Sequence, residues 1–334
     1  MQADAAFAAQ VRQIVQFERA GRHAEALAAL RGLAEEGSPD ARFYLAQKLL
    51  IGENAPREPQ EGMRLLTLAG DAEHGEALHL LAVLSAAGQG CAQDWGAAMR
   101  FLAKAAEAGH TTAKAQLALL GQAFDLGAWL SPPAAEMQFT RPRVGVIAGF
   151  LPGGICKWLI ERARPRLAPA MIAEPGAGRT VASRGRTNTV AYMPLLNSDV
   201  IVQLVRARIA AALDVPSTHL EAPNVLHYQV GQIFETHYDF MDPALPGYAQ
   251  ELASLGQRVA TFLVYLDQDF DGGETAFPEL DWRFRGSTGD AVFFWNVRPD
   301  GAVEPKLAHA GAPPTRGEKW LLSQWVRERP IPLI

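Results

Sequence analysis

His237 and Asp239 stand in the stretch QIFETHYDFMD with one residue between them. In a β-strand, residues i and i+2 point to the same face, so such a pair can present an imidazole and a carboxylate to one cation. His309, 72 residues further on in KLAHAGAPPTRGEKWLLSQW, supplies a second imidazole. Two imidazoles and one carboxylate on one face of a metal leave three positions open, an arrangement suited to non-haem Fe(II) oxygenases. A bidentate 2-oxo acid and O₂ need those open positions. Lys319 follows His309 by ten residues. A dicarboxylate cosubstrate that chelates iron through its 2-oxo acid end needs a cation at its far end, and a buried Lys on the neighbouring strand provides one. Taken singly, His309 reads as a core histidine and Lys319 as a surface lysine. The four together, in this order, read as a metal site.

Such residues need a rigid scaffold to meet. The runs VGVIAG, NVLHYQVG, ATFLVYLD and AVFFWN are β-branched and aromatic, with Gly and Pro turns between them, which predicts strands. Two helices are expected among them, at about residues 152–168 and 198–213. Helices followed by many short strands predict a double-stranded β-helix, a jelly-roll sandwich with supporting helices, over residues 143–334. Before it, AWLSPPAAEMQFTRPR carries paired prolines and Pro142, which disfavour helix, so residues 123–142 read as a linker.

Residues 1–122 have a different texture, rich in Ala, Leu, Glu and Gly with apolar spacing near 3.6, which predicts helices. A shift of 36 residues aligns Ala41, Ala77 and Ala113, then Leu45, Leu81 and Leu117, then Leu30, Leu66 and Leu102. Leu27, Met63 and Met99 follow the same shift, as do the small residues Ala26, Gly62 and Ala98, and Ala46, Ala82 and Ala118. Gly52 and Gly88 fall one period apart, where a helix pair would turn. A helix pair buries its face only against the next pair, so large and small positions must recur at the repeat length. The expected architecture is therefore multidomain, an N-terminal α-solenoid of helical repeats ahead of the β-domain. The solenoid is either a concave surface for a polypeptide or a cap that scaffolds the rest.

Composition narrows the function classes. Formal net charge is −5; residues 1–122 carry 11 basic and 14 acidic side chains, and residues 123–334 carry 20 and 22. Neither half has the basic excess of a nucleic-acid binder. Locally, Arg141–Arg186 holds nine Lys/Arg against Glu161 and Glu174, either a solvated surface or a rim that attracts an acidic polypeptide. The two cysteines, Cys91 and Cys156, form no disulfide framework, which suggests a reduced, cytoplasmic protein. The N-terminal stretch is a poor signal peptide, and no run approaches the roughly 18 apolar residues that suggest a membrane span.

From about residue 143 to 329 the chain resembles the catalytic domain of the prolyl 4-hydroxylases. The strings that carry the likeness are SRGRTNTVAYMP, NVLHYQVGQIFETHYDF, GQRVATFLVYLDQDFDGGETAFPEL, GDAVFFWNVRPDG and LAHAGAPPTRGEKWLLSQWVRE. Residues 8–122 resemble Sel1-like tetratricopeptide repeats. The resemblance implies that His237, Asp239 and His309 bind Fe(II), that Lys319 pairs with the 5-carboxylate of 2-oxoglutarate, and that Tyr228 and Thr261 donate hydrogen bonds to that cosubstrate. It also implies that Trp325 lines the pocket near the substrate and that Arg184 and Arg186 sit on a loop beside the substrate groove. Asp271, Gly272, Gly273 and Glu274 match a Gly-rich turn and are taken as structural.

The implied reaction couples decarboxylation of 2-oxoglutarate by O₂, giving succinate and CO₂, to hydroxylation of a C–H bond, with ascorbate as reductant. A prolyl residue of a peptide recruited by the repeats is the family expectation. A hydroxylase of a free amino acid or metabolite, with the repeats as scaffold, is the alternative. So is a non-catalytic binding protein that keeps the fold; the intact His-Asp-His set and Lys319 argue against that last reading.

Overall fold

A computed structural model of the protein describes residues 2–173 and 180–331. The chain divides into two compact units, one of residues up to Phe124 with Ser198–Gln203, the other of Asp125–Asn197 and Leu204 onward. The first unit is helical. After α1 (Gln2–Arg19) come α2 (His23–Glu35), α3 (Pro39–Ile51), α4 (Pro59–Asp71), α5 (Gly75–Ala87), α6 (Trp95–Glu107) and α7 (Thr111–Leu120). The pairs α2/α3, α4/α5 and α6/α7 begin at residues 23, 59 and 95, so the 36-residue spacing of the aligned columns is the structural period.

The columns explain the packing. Leu30, Leu66 and Leu102 are buried, as are Ala41, Ala77 and Ala113. Gly62 lies where helices close on each other: a Cβ there would sit 2.9 Å from Leu50 Cγ and 3.1 Å from the Ala46 carbonyl. In the last pair Leu117 is half-buried and Ala118 exposed. Among the described residues no fourth pair follows to cover them.

The second helix of each pair starts on a side chain that accepts the N–H three residues on. Ser38 Oγ accepts from Ala41 at 3.2 Å, His74 Nδ1 from Ala77 at 3.2 Å, and His110 Nδ1 from Ala113 at 3.0 Å. With Nδ1 accepting, the neutral ring carries its proton on Nε2. That nitrogen reaches back one repeat, from His74 to Asp40 at 3.0 Å and from His110 to Glu76 at 3.2 Å. One imidazole thus caps its own helix and ties it to the previous pair.

The second unit opens with α8 (Leu126–Trp129) and the hairpin of β1 (Glu136–Thr140) and β2 (Arg143–Ile147). Residues 123–142 are therefore not the linker that their prolines suggest. Trp129 is buried and its Nε1 donates to the Leu204 carbonyl at 2.7 Å, while Pro142 sits in the turn between paired strands. Next come α9 (Gly153–Ala163), β3 (Ala168–Pro169), β4 (Met171–Ala173), β5 (Thr180–Ala182), β6 (Thr189–Tyr192) and α10 (Val200–Leu213). The first of these helices ends short of the expected residue 168, passing into a 3₁₀ turn at Arg164–Arg166 where Pro165 has no N–H to give. The remaining elements are β7 (Asn224–Tyr228), β8 (Phe234–His237), α11 (Ala249–Leu255), β9 (Arg258–Tyr265) and β10 (Asp271–Gly272). They continue with β11 (Thr275–Phe277), β12 (Trp282–Phe284), β13 (Ala291–Phe294), β14 (His309–Gly311), β15 (Pro314–Arg316) and β16 (Lys319–Arg327).

The larger sheet runs β1-β2-β13-β9-β16-β7-β6-β3 and the smaller β12-β11-β14-β8, antiparallel at every pairing. They form the double-stranded β-helix, and the core lies between them. Leu226, Tyr228, Leu263, Tyr265, Val292 and Phe294 of the larger sheet pack with Phe277 of the smaller one. Phe277 meets Phe294 edge-on, with ring centroids 5.2 Å apart. Gly272, which ends β10, and Gly273, which follows it, both have φ +68, and a Cβ on Gly273 would come within 2.8 Å of the Phe270 ring and 3.3 Å of Lys319 Cδ. Their structural assignment follows from that geometry.

Replacing His74 by Ala removes a helix cap worth about 1 kcal/mol, whereas Ser keeps the cap and loses only the bridge to Asp40. Hydrogen exchange at the Ala77 amide is expected to quicken in His74→Ala and to stay near the wild-type rate in His74→Ser. Equal exchange in all three proteins would remove the capping role.

Candidate metal centre and cosubstrate pocket

Cross-strand register brings the two imidazoles together. In the pairing of β8 with β14, His237 lies opposite His309. Directly opposed residues hold their Cβ atoms roughly 4.5–5.5 Å apart, so a sequence gap of 72 becomes a neighbour contact. The ring centroids are 4.3 Å apart. Asp239 lies beyond the end of its strand, which stops at His237, so the two-residue alternation of a strand does not account for its direction. Its carboxylate nonetheless faces both rings, Oδ1 at 3.6 Å from His237 Nε2 and Oδ2 at 3.4 Å from His309 Nε2. The three donor atoms all lie within 4.8 Å of one another.

Backbone carbonyls settle which nitrogens face the cluster. His237 Nδ1 is 2.8 Å from the Glu235 carbonyl, and His309 Nδ1 is 3.1 Å from the Leu307 carbonyl. A carbonyl only accepts, so each Nδ1 carries a proton and Nε2 is the nitrogen that each ring turns toward Asp239. Burial, then the neighbouring His237, push His309 down to about 4, which keeps it neutral near pH 7. For Asp239, burial alone would raise the carboxyl. The positive charge that His309 carries at the low pH where a carboxyl titrates, then His237 and the Thr261 hydroxyl, outweigh it and hold the group well below the usual carboxylate range. Two imidazoles presenting Nε2 and one carboxylate, converging on one point, are a donor set that fits a divalent cation such as Fe(II).

Deeper between the sheets stands Lys319, fully buried and opposite Tyr228 in the pairing of β16 with β7. Its Nζ has no hydrogen-bond partner and lies 4.8 Å from the centre of the Tyr228 ring. Burial pulls its pKa down to about 7, against a smaller opposing effect of Glu274. A buried ammonium without an anion is costly, so the site is built for a negative group that arrives with a ligand.

Lys319, Leu321, Ser323 and Trp325 alternate along β16 and all line one cavity with His237, Asp239 and His309. Tyr228 and Arg186 line it too. The Arg186 guanidinium lies 4.3 Å over the Phe234 ring, and Phe234 in turn stacks on His237 with centroids 3.5 Å apart. One expected residue is placed otherwise. Thr261 is completely buried and is not among the residues lining the cavity; its hydroxyl donates to Asp239 Oδ2 at 2.7 Å. Arg184 is exposed in a turn and does not reach the cavity. Burial of all of β16 but Trp325 hid the periodicity that would have marked Leu321 and Ser323 as cavity residues from sequence; Lys319 and Trp325, six apart, were the available signal. Of the basic excess between Arg141 and Arg186, only Arg186 lines this cavity among the described residues, while Arg179 lies outside them. Arg143 instead stacks on Trp295, and Arg164 faces Glu318 at 3.8 Å.

With this geometry in hand, likeness to known proteins is informative. Residues 223–327 match the model of the 2OG-Fe(II) oxygenase superfamily. Probable prolyl 4-hydroxylase 3 of Arabidopsis thaliana is 32% identical over 210 residues, covering 57% of this chain and 71% of that protein. Among solved structures, the viral collagen prolyl hydroxylase of Paramecium bursaria Chlorella virus-1 in its 2OG complex is 27% identical, over 55% of this chain and 95% of that one, with a TM-score of 0.43. A Sel1 repeat protein from Oxalobacter formigenes is 23% identical over 34% of this chain and 48% of that one, with a TM-score of 0.32. The curated relative, spanned over more than two thirds of its length, fixes the assignment: the chain belongs to the prolyl 4-hydroxylase family of Fe(II)- and 2-oxoglutarate-dependent dioxygenases.

Proposed function

We propose that this protein hydroxylates prolyl residues of a polypeptide, with His237, Asp239 and His309 holding Fe(II) and Lys319 holding the far carboxylate of 2-oxoglutarate. The observation that carries this reading is the unpartnered Lys319 Nζ in the same cavity as the His-Asp-His set. Bound iron with 2-oxoglutarate and O₂ supplies the oxidation: one oxygen atom enters a C–H bond while the cosubstrate leaves as succinate and CO₂, with ascorbate as reductant.

The chain's own residues do the positioning. His237, His309 and the Asp239 carboxylate would hold the cation and would leave room on it for cosubstrate and O₂. The Lys319 ammonium gives the dicarboxylate one orientation, with Tyr228 beside it. Leu226, Leu263 and Leu321 line the cavity with apolar surface that displaces water from the reacting centre. Trp325 and Arg186, which line the same cavity, are read as its substrate side; the Arg258 guanidinium lies 3.7 Å over the indole ring. The helical repeats are read as the recruiting surface, supported by a groove lined by Arg31, Arg42, Glu61, Arg64, Leu65 and Leu68, which suits a polypeptide carrying both charged and apolar side chains. Two unpaired cysteines, one exposed and one buried, favour a reduced compartment.

A proline-containing peptide, but not free amino acids, should stimulate succinate release and gain one oxygen atom by mass spectrometry, and His237→Ala should abolish both. A longer polypeptide that also engages the repeats should show a lower KM than the short peptide. Oxygen gain on free proline alone would move the assignment to a small-molecule hydroxylase.

Lys319 gives cosubstrate binding a pH dependence of known sign. Burial places the free ammonium at about 7, and pairing with a carboxylate raises it, so binding above that pH takes up a proton. The Kd for 2-oxoglutarate should be flat below pH 7 and rise above it, by up to about tenfold per pH unit. Lys319→Ala should lose a charge-assisted hydrogen bond worth roughly 1.5–3 kcal/mol. Calorimetry across pH measures both; a Kd that falls as pH rises would overturn the role of Lys319.

A further inference from the structure

Thr261 and Asn296 sit behind the metal cluster, and neither side chain lines the cavity. Thr261 is 0% exposed, Asn296 1% and Asp239 6%. Asn296 Nδ2 donates to Thr261 Oγ1 at 3.0 Å, and Thr261 Oγ1 donates to Asp239 Oδ2 at 2.7 Å. Resting on the ligand set proposed above, we infer that Thr261 and Asn296 are positioning residues: a one-way hydrogen-bond relay that fixes the Asp239 carboxylate for metal binding.

The direction of the relay follows from donor counting. A threonine hydroxyl has one proton, and an amide nitrogen only donates. With Nδ2 pointed at it, Oγ1 must accept from Asn296 and has its proton left for Asp239. If the amide presented its oxygen instead, two acceptors would compete for that proton, and a buried carboxylate oxygen would lose its donor.

The supports are rigid. Thr261 lies within β9, where it is registered against Trp325 on one side and Phe294 on the other. Its branched Cβ restricts the rotamer. Asn296 is held by its own backbone, N–H to the Val259 carbonyl and carbonyl from the Glu304 N–H, both at 2.9 Å. Since Asp239 lies past the end of its strand, no ladder fixes its side chain. The hydroxyl of Thr261 supplies that constraint, engaging Oδ2 and leaving Oδ1 turned to His237.

A partner of this kind tunes metal affinity, and its removal typically costs roughly 10–100-fold. A cosubstrate residue would instead alter the KM for 2-oxoglutarate. The test is equilibrium binding of Fe(II) to the full chain without oxygen, followed by the KM for 2-oxoglutarate at saturating iron, with far-ultraviolet circular dichroism on every variant. Thr261→Val should weaken iron binding by roughly 10–100-fold and leave that KM unchanged, and Thr261→Ser should restore the affinity. Asn296→Asp keeps the shape but turns an acceptor on Oγ1, so it should weaken iron binding as Thr261→Val does. Packing by Asn296 alone predicts wild-type affinity for Asn296→Asp, and that result overturns the relay. So does a Thr261→Val protein with unchanged iron affinity and a raised KM, which would return Thr261 to the cosubstrate. Failure of the wild-type chain to bind Fe(II) is a separate outcome, and it overturns the ligand set and the relay together.

Discussion

The site depends on one register. Only when β8 and β14 pair with His237 opposite His309 do imidazoles 72 residues apart share a face. A slip of one residue would turn one of the rings to the other side of the smaller sheet. That sheet is short, and its register is held by packing rather than by a long ladder. Phe277 on β11 contacts both Phe294 of the larger sheet and the His309 ring, so the aromatic core that joins the two sheets also orients a ligand. Fold stability and metal geometry are the same constraint seen from two sides.

The opposite kind of constraint operates at Lys319. Most of the interior satisfies its polar groups, yet this ammonium is buried against the aromatic rings of Tyr228 and Tyr265 without a hydrogen-bond acceptor. Ring faces provide some compensation for a cation, on the order of 0.5–2 kcal/mol each, less than desolvation costs it. The protein therefore stores an incomplete interaction, which in the proposed reading the far carboxylate of 2-oxoglutarate completes. That deficit and the three converging donors line one cavity, so with a metal on the donors the proposed site would suit a ligand with an anionic group at each end.

How much of this was readable beforehand follows from the range of each interaction. His237, Asp239, His309 and Lys319 were legible because their chemistry is unusual and their order is informative. The helical period was legible because each repeat meets its neighbour in the same way, so that helix pairs start at residues 23, 59 and 95. The contacts of Thr261 were not legible because its partners, Asp239 and Asn296, lie 22 and 35 residues away and are joined to it only by the fold. Residues 123–142 were misread for a similar reason. Prolines advertise a break locally, while the burial of Trp129 and the pairing of β1 with β2 are decided elsewhere in the chain. The imidazole caps at His74 and His110 were invisible among ordinary repeat positions, since histidine is not the residue type that capping preferences point to.

Anaerobic crystals grown with Fe(II) and 2-oxoglutarate, with data collected at the iron absorption edge, address the central claim most directly. The expected result is one iron peak bounded by His237 Nε2, the Asp239 carboxylate and His309 Nε2, with the far carboxylate of the cosubstrate on Lys319 Nζ. An iron peak away from those three side chains, or a cosubstrate whose far carboxylate pairs with a different cation, would contradict it.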